Sequence, residues 1–361
     1  MATPPGDLLG RRLERVRADT AFQNYEFVKQ RVLEMKAMAP TGEEAAPSEY
    51  WAEELENIEY MVDAGPLVIE RLRQHCYHIT GIWPYSYRSH QDRRRAQHET
   101  KLKALHELGS SDLFVPEPRD LGGFGFECEG GAYNVDTLKF YEALIALRKG
   151  EVLAELASAE EPPIVWEIGG GWGGFAYQFK TVCPTVRYVI SDFPELFLFS
   201  ATYLMTLFPE AKFAFYGADG TSAADLPWLD ADFIFMPHTA TDRVAPPKLD
   251  LTVNMVSFQE MTTEQVRAYV AHAFELESPY LYSLNRDRST YNPELSGVRE
   301  IVAEYYRPHI IDVLPVNYNA FPDEIPKRDL KKAMRALLAG EPPTKHDLGY
   351  HHVVGWKRIL R

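Results

Sequence analysis

The chain has 361 residues, of which 45% are hydrophobic and 25% are charged; it is long enough for two domains and has the composition of an ordinary globular protein. Its net charge of −14 argues against a nucleic-acid partner, whose phosphates demand a basic surface, and against an anionic membrane. The same charge fits a small neutral or cationic substrate.

The cysteines and the apolar segments indicate where the protein works. Cys76, Cys128 and Cys183 are too widely spaced for a disulfide framework or a zinc pattern, so a reducing compartment is expected. The N-terminus lacks an apolar signal core, and the longest apolar stretch, 196–208, is too short to span a bilayer. We therefore expect a cytoplasmic protein with no membrane partner.

The first third of the sequence predicts helices. Apolar residues recur at three- and four-residue steps within 7–38, within 48–62 and again after Pro66. The other face of the second helix is acidic, which indicates a solvated face. A basic stretch over 93–108 predicts a further helix. We expect residues 1–134 to form a helical cap over a ligand site or a dimerisation region, and the protein to be a homodimer.

The cap ends in a stretch rich in glycine and proline, 115–135, which predicts a loop that can approach a ligand. Glu127 and Glu129 lie inside it and are candidates for binding a cationic or hydroxylated substrate. The alternative is that both are solvated loop carboxylates. A helix is expected from Val135 to Gly150.

From residue 164 onward, strand-like apolar runs alternate with helical patterns, which is typical of a parallel sheet covered by helices on both faces. The fold class expected for residues 135–361 is therefore α/β. The predicted strands are 164–168, 188–192, 213–216, 233–238, 251–254, 280–285, 310–316 and 352–359.

The most informative feature is the turn after the first of these strands. The strand ends at Glu167 and continues into Gly169, Gly170 and Gly171, where the backbone can pass close to a ligand. The helix that follows would point its free N–H groups at that ligand. The next strand ends at Asp192, 25 residues after the first acid, where a carboxylate can hold a ribose.

Three interpretations compete for this turn: a nucleotide-type cofactor site, a phosphate loop, and a strand-to-helix corner without a ligand. A phosphate loop would end in Gly-Lys-Ser or Gly-Lys-Thr, which Trp172-Gly173-Gly174 does not supply. Glu167 would repel a pyrophosphate, whereas it suits an ammonium group. We therefore expect S-adenosylmethionine, which is cationic at its sulfonium and its amino group, with another nucleotide or a bare corner as the alternatives.

Further candidates follow from the rule that ligands lie beyond the carboxyl ends of parallel strands. This rule brings His238, the segment 254–260 and Asn285 to the same crevice as the two acids. His238 and Glu260 are candidate bases that could take a proton from an acceptor. The alternatives are a structural histidine at a strand end and an acid that complements a helix N-terminus.

No metal site is expected near the C-terminus. His346, His351 and His352 cluster there, but adjacent residues such as His351 and His352 point to opposite faces of a strand.

Three segments carry a family resemblance: Trp166–Gly174 (WEIGGGWGG), Ser191–Leu196 (SDFPEL) and Asn254–Met261 (NMVSFQEM). Together they resemble a family of sugar O-methyltransferases within the class I S-adenosylmethionine-dependent methyltransferases, over roughly residues 115–320. The resemblance implies a Rossmann-like, mostly parallel seven-stranded sheet with helices on both faces, plus the all-helical N-terminal cap. Residues 135–361 would then be the S-adenosylmethionine-binding domain.

The resemblance also implies roles for single residues. Gly169 and Gly171, with Gly170 between them, would bring the backbone against the methionine part of the cofactor. Glu167 would reach the cofactor's amino group and Asp192 its ribose hydroxyls. The remaining expected site residues are Asn254 beside the cofactor, Glu260 near the acceptor, and Ser257 and Asn285 as candidate substrate-binding residues.

Three functions follow as hypotheses. The first is S-adenosylmethionine-dependent methylation of a small polar metabolite at a sugar-type hydroxyl. The alternative is N-methylation of a cationic guanidine or amine, such as free arginine, held by Glu260 with Glu127 or Glu129, since carboxylates can pair with such a group. The third is a non-enzymatic, methyltransferase-like scaffold subunit.

Overall fold

The N-terminal part of the chain is helical. The computed structural model describes residues 5–39, 47, 49–286, 297–314 and 350–358. The helix predicted over 7–38 is divided at Asp19, whose carboxylate accepts the N–H of Ala21 at 2.9 Å and so starts a second helix. The helices of this part are α1 (Pro5–Arg17), α2 (Thr20–Met38), α3 (Glu49–Asn57), α4 (Pro66–Ile69), α5 (Leu72–His75), α6 (Tyr77–Thr80) and α7 (Asp92–Glu107).

The glycine-rich stretch predicted as a loop contains a small antiparallel hairpin of β1 (Phe126–Cys128) and β2 (Gly131–Tyr133). The prediction of a plain loop is therefore wrong for these residues. A Cβ on Gly125 would lie 2.4 Å from the carbonyl oxygen of Tyr133, so this glycine permits the two segments to approach.

The remaining elements alternate between helix and strand. The helices are α8 (Val135–Lys149), α9 (Val152–Ser158), α10 (Gly174–Val182), α11 (Phe197–Leu207), α12 (Thr263–Glu275) and α13 (Val298–Tyr305). The strands are β3 (Ile164–Ile168), β4 (Arg187–Asp192), β5 (Phe213–Phe215), β6 (Phe233–Pro237), β7 (Leu251–Met255), β8 (Tyr280–Arg286), β9 (Tyr306–Ile310) and β10 (Tyr350–Lys357).

These strands form one sheet in the order β5-β6-β4-β3-β7-β8-β10-β9. Every described pairing in it is parallel except the two made by β10, which runs antiparallel to both β8 and β9. The strand order reverses between β3 and β7, which is where such sheets form a ligand crevice. The predicted α/β fold with a mostly parallel sheet is confirmed, and the described residues contribute eight strands to it, where the family resemblance implied seven.

The strand predicted over 310–316 is misplaced. The observed strand β9 covers 306–310, while residues 315 and 316 lie outside the described part of the chain. In β9 Tyr306 is buried but Arg307, His309 and Ile310 are exposed, as in an edge strand. Such a strand carries no continuous apolar run, so hydrophobic patterning could not locate it.

One of the two apolar clusters among the described residues contains side chains of both the helical part and the sheet. The predicted stripe of α2 is buried, and this helix packs against α11, with Asn24 Nδ2 donating to Thr206 Oγ1 at 3.3 Å. The predicted boundary after residue 134 falls at the start of α8, where Asn134 and Thr137 form a capping box. Whether 1–134 and 135–361 are separate domains stays a prediction.

Two properties of the described residues bear on earlier expectations. Cys76, Cys128 and Cys183 carry free thiols. In the same part of the chain, no helix combines the length and the apolar composition needed to cross a membrane.

Candidate functional site

The turn after β3 adopts a backbone conformation that favours glycine. Gly169 and Gly171 have φ angles of 74° and 55°. A Cβ on Gly169 would lie 2.3 Å from Ser257 Oγ, so a side chain there would also collide with the segment after β7. On the other side, Ile79 of α6 lies over the turn, because its Cγ2 would be 3.4 Å from a Cβ on Gly171. The turn is therefore enclosed between the sheet and the helical cap.

Glu167, at the penultimate position of β3, is buried with 2% of its surface exposed. Its Oε2 atom has no partner of normal hydrogen-bond geometry among the described residues, and the Tyr188 hydroxyl, which lacks such a partner too, interacts with the carboxylate. Burial and the nearby Asp192 charge raise the pKa of Glu167 to about 8, against the opposing effects of the Tyr188 hydroxyl and the Lys139 ammonium. A buried oxygen without a partner requires an explanation, and an incoming N–H donor would supply one.

Asp192, the last residue of β4, connects the two predicted halves of the site. Its Oδ2 accepts the N–H of Gly171 at 2.7 Å, and its Oδ1 accepts the N–H of Phe193 at 2.8 Å. Burial raises the pKa of Asp192 to about 7, although both backbone hydrogen bonds act in the opposite direction. The carboxylate thus stands at the edge of the turn, as a ribose-binding acid would have to.

The predicted residues Asn254, Ser257 and Asn285 form a buried hydrogen-bond network. Asn254 Nδ2 donates to Ile168 O at 2.9 Å and also to Ser257 Oγ. Asn254 Oδ1 accepts from Phe258 N at 3.1 Å and from Asn285 Nδ2 at 2.8 Å. Both donors and both acceptors of the Asn254 amide are therefore in use, and the network joins the carboxyl ends of β3, β7 and β8.

This network lies at the carboxyl ends of the strands, where a sheet of this order is expected to bind a ligand. Direct contact of Asn254 with a cofactor, or of Ser257 and Asn285 with a substrate, would have to share or break one of these bonds. Their assignment as binding residues stays a prediction.

Glu260 lies in the short 3₁₀ turn after β7 and is part-buried. The Trp51 indole, from α3 of the cap, donates a hydrogen bond to its carboxylate. Burial is the main cause that raises the pKa of Glu260 to about 8; the charges of Asp192 and Glu54 add to it, while Trp51 and Lys139 oppose it. The candidate base Glu260 therefore follows a strand of the sheet, while a residue of the cap contacts its carboxylate.

An aromatic cluster joins the cap to the second strand of the site. The Trp51 and Phe193 ring centres are 5.5 Å apart, and the Phe193 and His238 ring centres are 4.3 Å apart. His238 directly follows β6 and is part-buried. The structure thus brings His238 to the segment that begins with Asp192, on the side that faces the cap.

Three residues near this crevice were not identified from the sequence as site residues: Trp51, Glu54 and Lys139. The acidic face of α3 was interpreted as solvated, but the Glu54 side chain is only 23% exposed and lies 3.9 Å from His78 Nδ1. For Glu54 that interpretation is wrong. The acid comes close to Glu260 because Trp51 of the same helix contacts Phe193 and Glu260, which local periodicity could not reveal.

Glu127 and Glu129 lie at the surface of the β1–β2 hairpin. The Glu127 side chain is 79% exposed and forms an ion pair with Arg119, which lowers its pKa. Glu129 is exposed as well. Within the described residues the structure shows no contact of either carboxylate with Glu260, so their role in substrate binding stays a prediction.

The C-terminal histidines take separate positions. His352 is buried, with Nδ1 2.8 Å from the Tyr282 hydroxyl and Nε2 3.4 Å from Glu142 Oε2. His346 lies outside the described residues. Over the ranges that the structure describes, no group of three histidine, cysteine or acidic side chains could hold a metal ion.

No model of a known protein family matches this chain, and no curated protein matches it. Solved methyltransferase structures match at low similarity. The phosphoethanolamine N-methyltransferase 2 of Haemonchus contortus, in complex with S-adenosylmethionine, is 9% identical at a TM-score of 0.33, over 62% of this chain and 57% of that one. The magnesium protoporphyrin IX methyltransferase of Synechocystis is 10% identical at a TM-score of 0.36, over 64% of this chain and 87% of that one.

A third structure is an O-methyltransferase family 2 protein from Planctomyces limnophilus in complex with apigenin. It is 13% identical at a TM-score of 0.33, over 64% of this chain and 63% of that one. The chain thus spans less than two thirds of the Haemonchus and Planctomyces proteins that it matches. The assignment of fold rests on the sheet itself: the doubly wound order and the single reversed strand give this chain a Rossmann-like α/β fold of the kind expected for class I methyltransferases.

Proposed function

We propose that the protein is an S-adenosylmethionine-dependent methyltransferase that acts on a small polar metabolite, at a sugar-type hydroxyl. The observation that carries the proposal is the unpartnered, buried Oε2 of Glu167 beside a turn whose Gly169 has no room for a side chain. A buried acid in this position calls for a cationic ligand, and a turn of glycines lets the backbone approach one closely.

The residues present fit this cofactor. Glu167 would accept a hydrogen bond from its ammonium group, and Gly169 to Gly171 would lie along its methionine part. Asp192 would hold its ribose, since it ends the neighbouring strand 25 residues later. The raised pKa values of both acids, about 8 and about 7, reflect burial, which the Lys139 ammonium offsets only in part at Glu167; the ligand would provide a further cation.

When bound, S-adenosylmethionine supplies a methyl group on a sulfonium centre for in-line transfer. The protein's task is to position the acceptor and to take up its proton. Glu260 suits this task because Trp51 orients its carboxylate and its pKa of about 8 makes it a stronger base than an exposed glutamate. His238, beside Phe193, is the second candidate base.

A specific observation favours the alternative of a cationic amine or guanidine acceptor. Glu54 and Glu260 are close enough for their charges to interact, and the Trp51 ring lies beside them. Two carboxylates and an aromatic ring are the groups that bind organic cations. In this version Glu54 takes the place that the sequence suggested for Glu127 or Glu129, which are exposed.

Two experiments test the proposal. S-adenosylhomocysteine should bind the wild-type protein in calorimetry, and Asp192→Ala should weaken that binding; absence of binding to the wild type would contradict the proposal. Transfer from labelled S-adenosylmethionine to a panel of sugars, amines and guanidines should then yield an O-methyl product, and an N-methyl product would establish the alternative.

Glu260→Gln should lower kcat at least about 100-fold if this residue is the base. The matched control is Glu264→Gln, an exposed acid in the first turn of α12, which should leave kcat unchanged. Equal activity of the two variants would remove Glu260 from the mechanism.

The assembly and location of the protein are further parts of the proposal. We propose a cytoplasmic homodimer in which residues 1–134 serve as cap and dimerisation region. Exposed aromatic side chains of this part, Trp83 at 55% and Tyr85 at 54%, support an interface there. Sedimentation velocity should give the mass of a dimer, and a monomer at micromolar concentration would contradict this part of the proposal.

A further inference from the structure

Lys139 of α8 is a cation beside the candidate site. Its ammonium donates to Asp136 Oδ1 at 2.9 Å and lies 5.0 Å from the centre of the Phe140 ring. The side chain is 18% exposed, so a ligand can reach it, and the bond to Asp136 uses one of three ammonium protons. Its positive charge lowers the pKa of both Glu167, near the end of β3, and Glu260, in the turn after β7.

Asp136 ties Lys139 to the glycine turn. The carboxylate is fully buried, and its second oxygen, Oδ2, accepts from Trp172 Nε1 at 3.2 Å. Trp172 stands between Gly171 and Gly173 of the turn. One carboxylate thus holds both the Lys139 ammonium and the turn against which the methionine part of the cofactor is proposed to lie.

Arg73 makes this arrangement rigid. It is fully buried, donates from Nη2 to Asp136 Oδ2 at 2.9 Å, and places its guanidinium carbon 3.8 Å from the centre of the Trp172 ring. Its Nε lies 3.2 Å from Glu117 Oε1, a second buried carboxylate. Because Asp136 cannot move without breaking these contacts, the position of the Lys139 ammonium relative to the turn is preorganised.

The charges of the crevice create a need for such a cation. The methionine end of the cofactor carries an ammonium and also a carboxylate. Glu167, Asp192 and Glu260 favour the ammonium but repel a carboxylate at short range. An acidic crevice accommodates both ends of this zwitterion when a cation stands next to the carboxylate.

We propose that Lys139 binds the carboxylate of the cofactor's methionine part, and that Asp136 and Arg73 position it for this contact. The proposal rests on the proposed use of S-adenosylmethionine. It divides recognition of the amino-acid end between two elements: Glu167 of β3 binds the ammonium, and Lys139 of α8 binds the carboxylate.

The test compares two ligands by calorimetry on the 361-residue protein. S-adenosylhomocysteine carries the amino-acid end, whereas 5′-methylthioadenosine keeps the nucleoside and the thioether but lacks that end. Lys139→Met should weaken binding of S-adenosylhomocysteine about 10- to 100-fold, the range for a charge-assisted hydrogen bond, and change binding of methylthioadenosine by less than about twofold. Lys149→Met, an exposed lysine of the same helix, is the matched control and should change neither affinity.

The outcomes separate this proposal from the proposed function. If Lys139→Met lowers the affinity for both ligands equally, or for neither, the role of Lys139 is overturned while cofactor use stays intact. Failure of the wild-type protein to bind either ligand would overturn both. If Lys139→Met does not fold, Lys139→Gln, which keeps a polar donor without the charge, should show the same selective loss for S-adenosylhomocysteine.

Discussion

The backbone N–H of Gly171 donates to the Asp192 carboxylate at 2.7 Å, so the ends of the first two site strands are in direct contact. The acid that would hold a ribose also fixes the turn that would receive the methionine part. Changes at Asp192 should therefore affect both ends of a bound cofactor. Without a bound ligand, burial keeps the pKa values of Asp192 and Glu167 high, which leads to the first two predictions.

Cofactor binding should become tighter as pH rises from 6 to 8. In the free protein Asp192 and Glu167, with pKa values of about 7 and about 8, are partly protonated in this range, whereas the ligand's ribose hydroxyls and ammonium group would bind their ionised forms. Affinity for S-adenosylhomocysteine should rise by at most about tenfold per pH unit for each acid. Calorimetry in two buffers of different ionisation enthalpy should detect proton release; proton uptake on binding would contradict the prediction.

Glu167→Gln should stabilise the free protein at pH 8 but hardly at pH 5. The pKa of Glu167 is raised from 4.5 to about 8 in the folded state, so between these values the unfolded chain ionises this acid while the folded chain keeps it protonated. Stability therefore falls progressively as pH rises from about 5 to about 8. Replacement of the ionisable group by an amide should raise the free energy of unfolding by about 2–4 kcal/mol at pH 8. It should also weaken the binding of S-adenosylhomocysteine at least about 30-fold. Urea unfolding at both pH values measures the first effect. If the gain in unfolding free energy over the wild type is no larger at pH 8 than at pH 5, this account is refuted.

Gly169→Ala should destabilise the protein by about 1–3 kcal/mol and weaken cofactor binding. Its φ of 74° disfavours a side chain, and a Cβ would lie 2.3 Å from Ser257 Oγ. Adding Ser257→Ala should recover only part of the loss, because the φ angle is unchanged. The control is Gly10→Ala in α1, where nothing lies within 4 Å of the new Cβ. This variant should raise the free energy of unfolding by about 0.5–1 kcal/mol, measured by thermal unfolding.

Trp51→Phe should move the acidic limb of the pH–rate profile to higher pH. The Trp51 hydrogen bond lowers the pKa of Glu260, so its loss raises the pKa and leaves less of the ionised base at neutral pH. kcat at pH 7 should fall roughly threefold to tenfold and recover at pH 9. Trp356→Phe, an exposed tryptophan of β10, should leave the profile unchanged. An unshifted limb in Trp51→Phe would show that Glu260 does not set the rate.

Arg73→Met should destabilise the protein by about 3–5 kcal/mol in urea unfolding, because it leaves the buried carboxylates Glu117 and Asp136 without their cation. The control is Arg267→Met, which breaks an exposed ion pair with Glu304 and should have a much smaller effect. Similar losses in the two variants would show that the buried network contributes no more than a surface pair.

The strands that build the site were predictable because each is a buried apolar run that ends in a polar residue. β3 ends next to Glu167, β4 at Asp192 and β8 beside Asn285, and parallel strands bring such ends to one edge. Local sequence was sufficient here since burial on both faces leaves a continuous hydrophobic signal.

The contribution of the cap was not predictable in the same way. Trp51 and Glu54 lie more than a hundred residues before the strands that they face, and a single sequence contains no signal for that packing. Asp136 was missed for a related reason: helix α8 is enclosed by cap and sheet, so it buries a charged residue in its first turn where a one-sided helix would expose it.

Strand β9 reaches the sheet only through β10 within the described part of the chain, and 39 residues separate the two. On a ribosome that adds about 5–20 residues per second, β9 therefore emerges roughly 2–8 s before the strand that must receive it. During this interval β8 presents an open edge, while β3, β4 and β7 have already been synthesised. The nascent chain can therefore assemble its ligand crevice before its sheet is complete. In the same interval the open edge of β8 can pair with a strand of another chain, which would lead to aggregation.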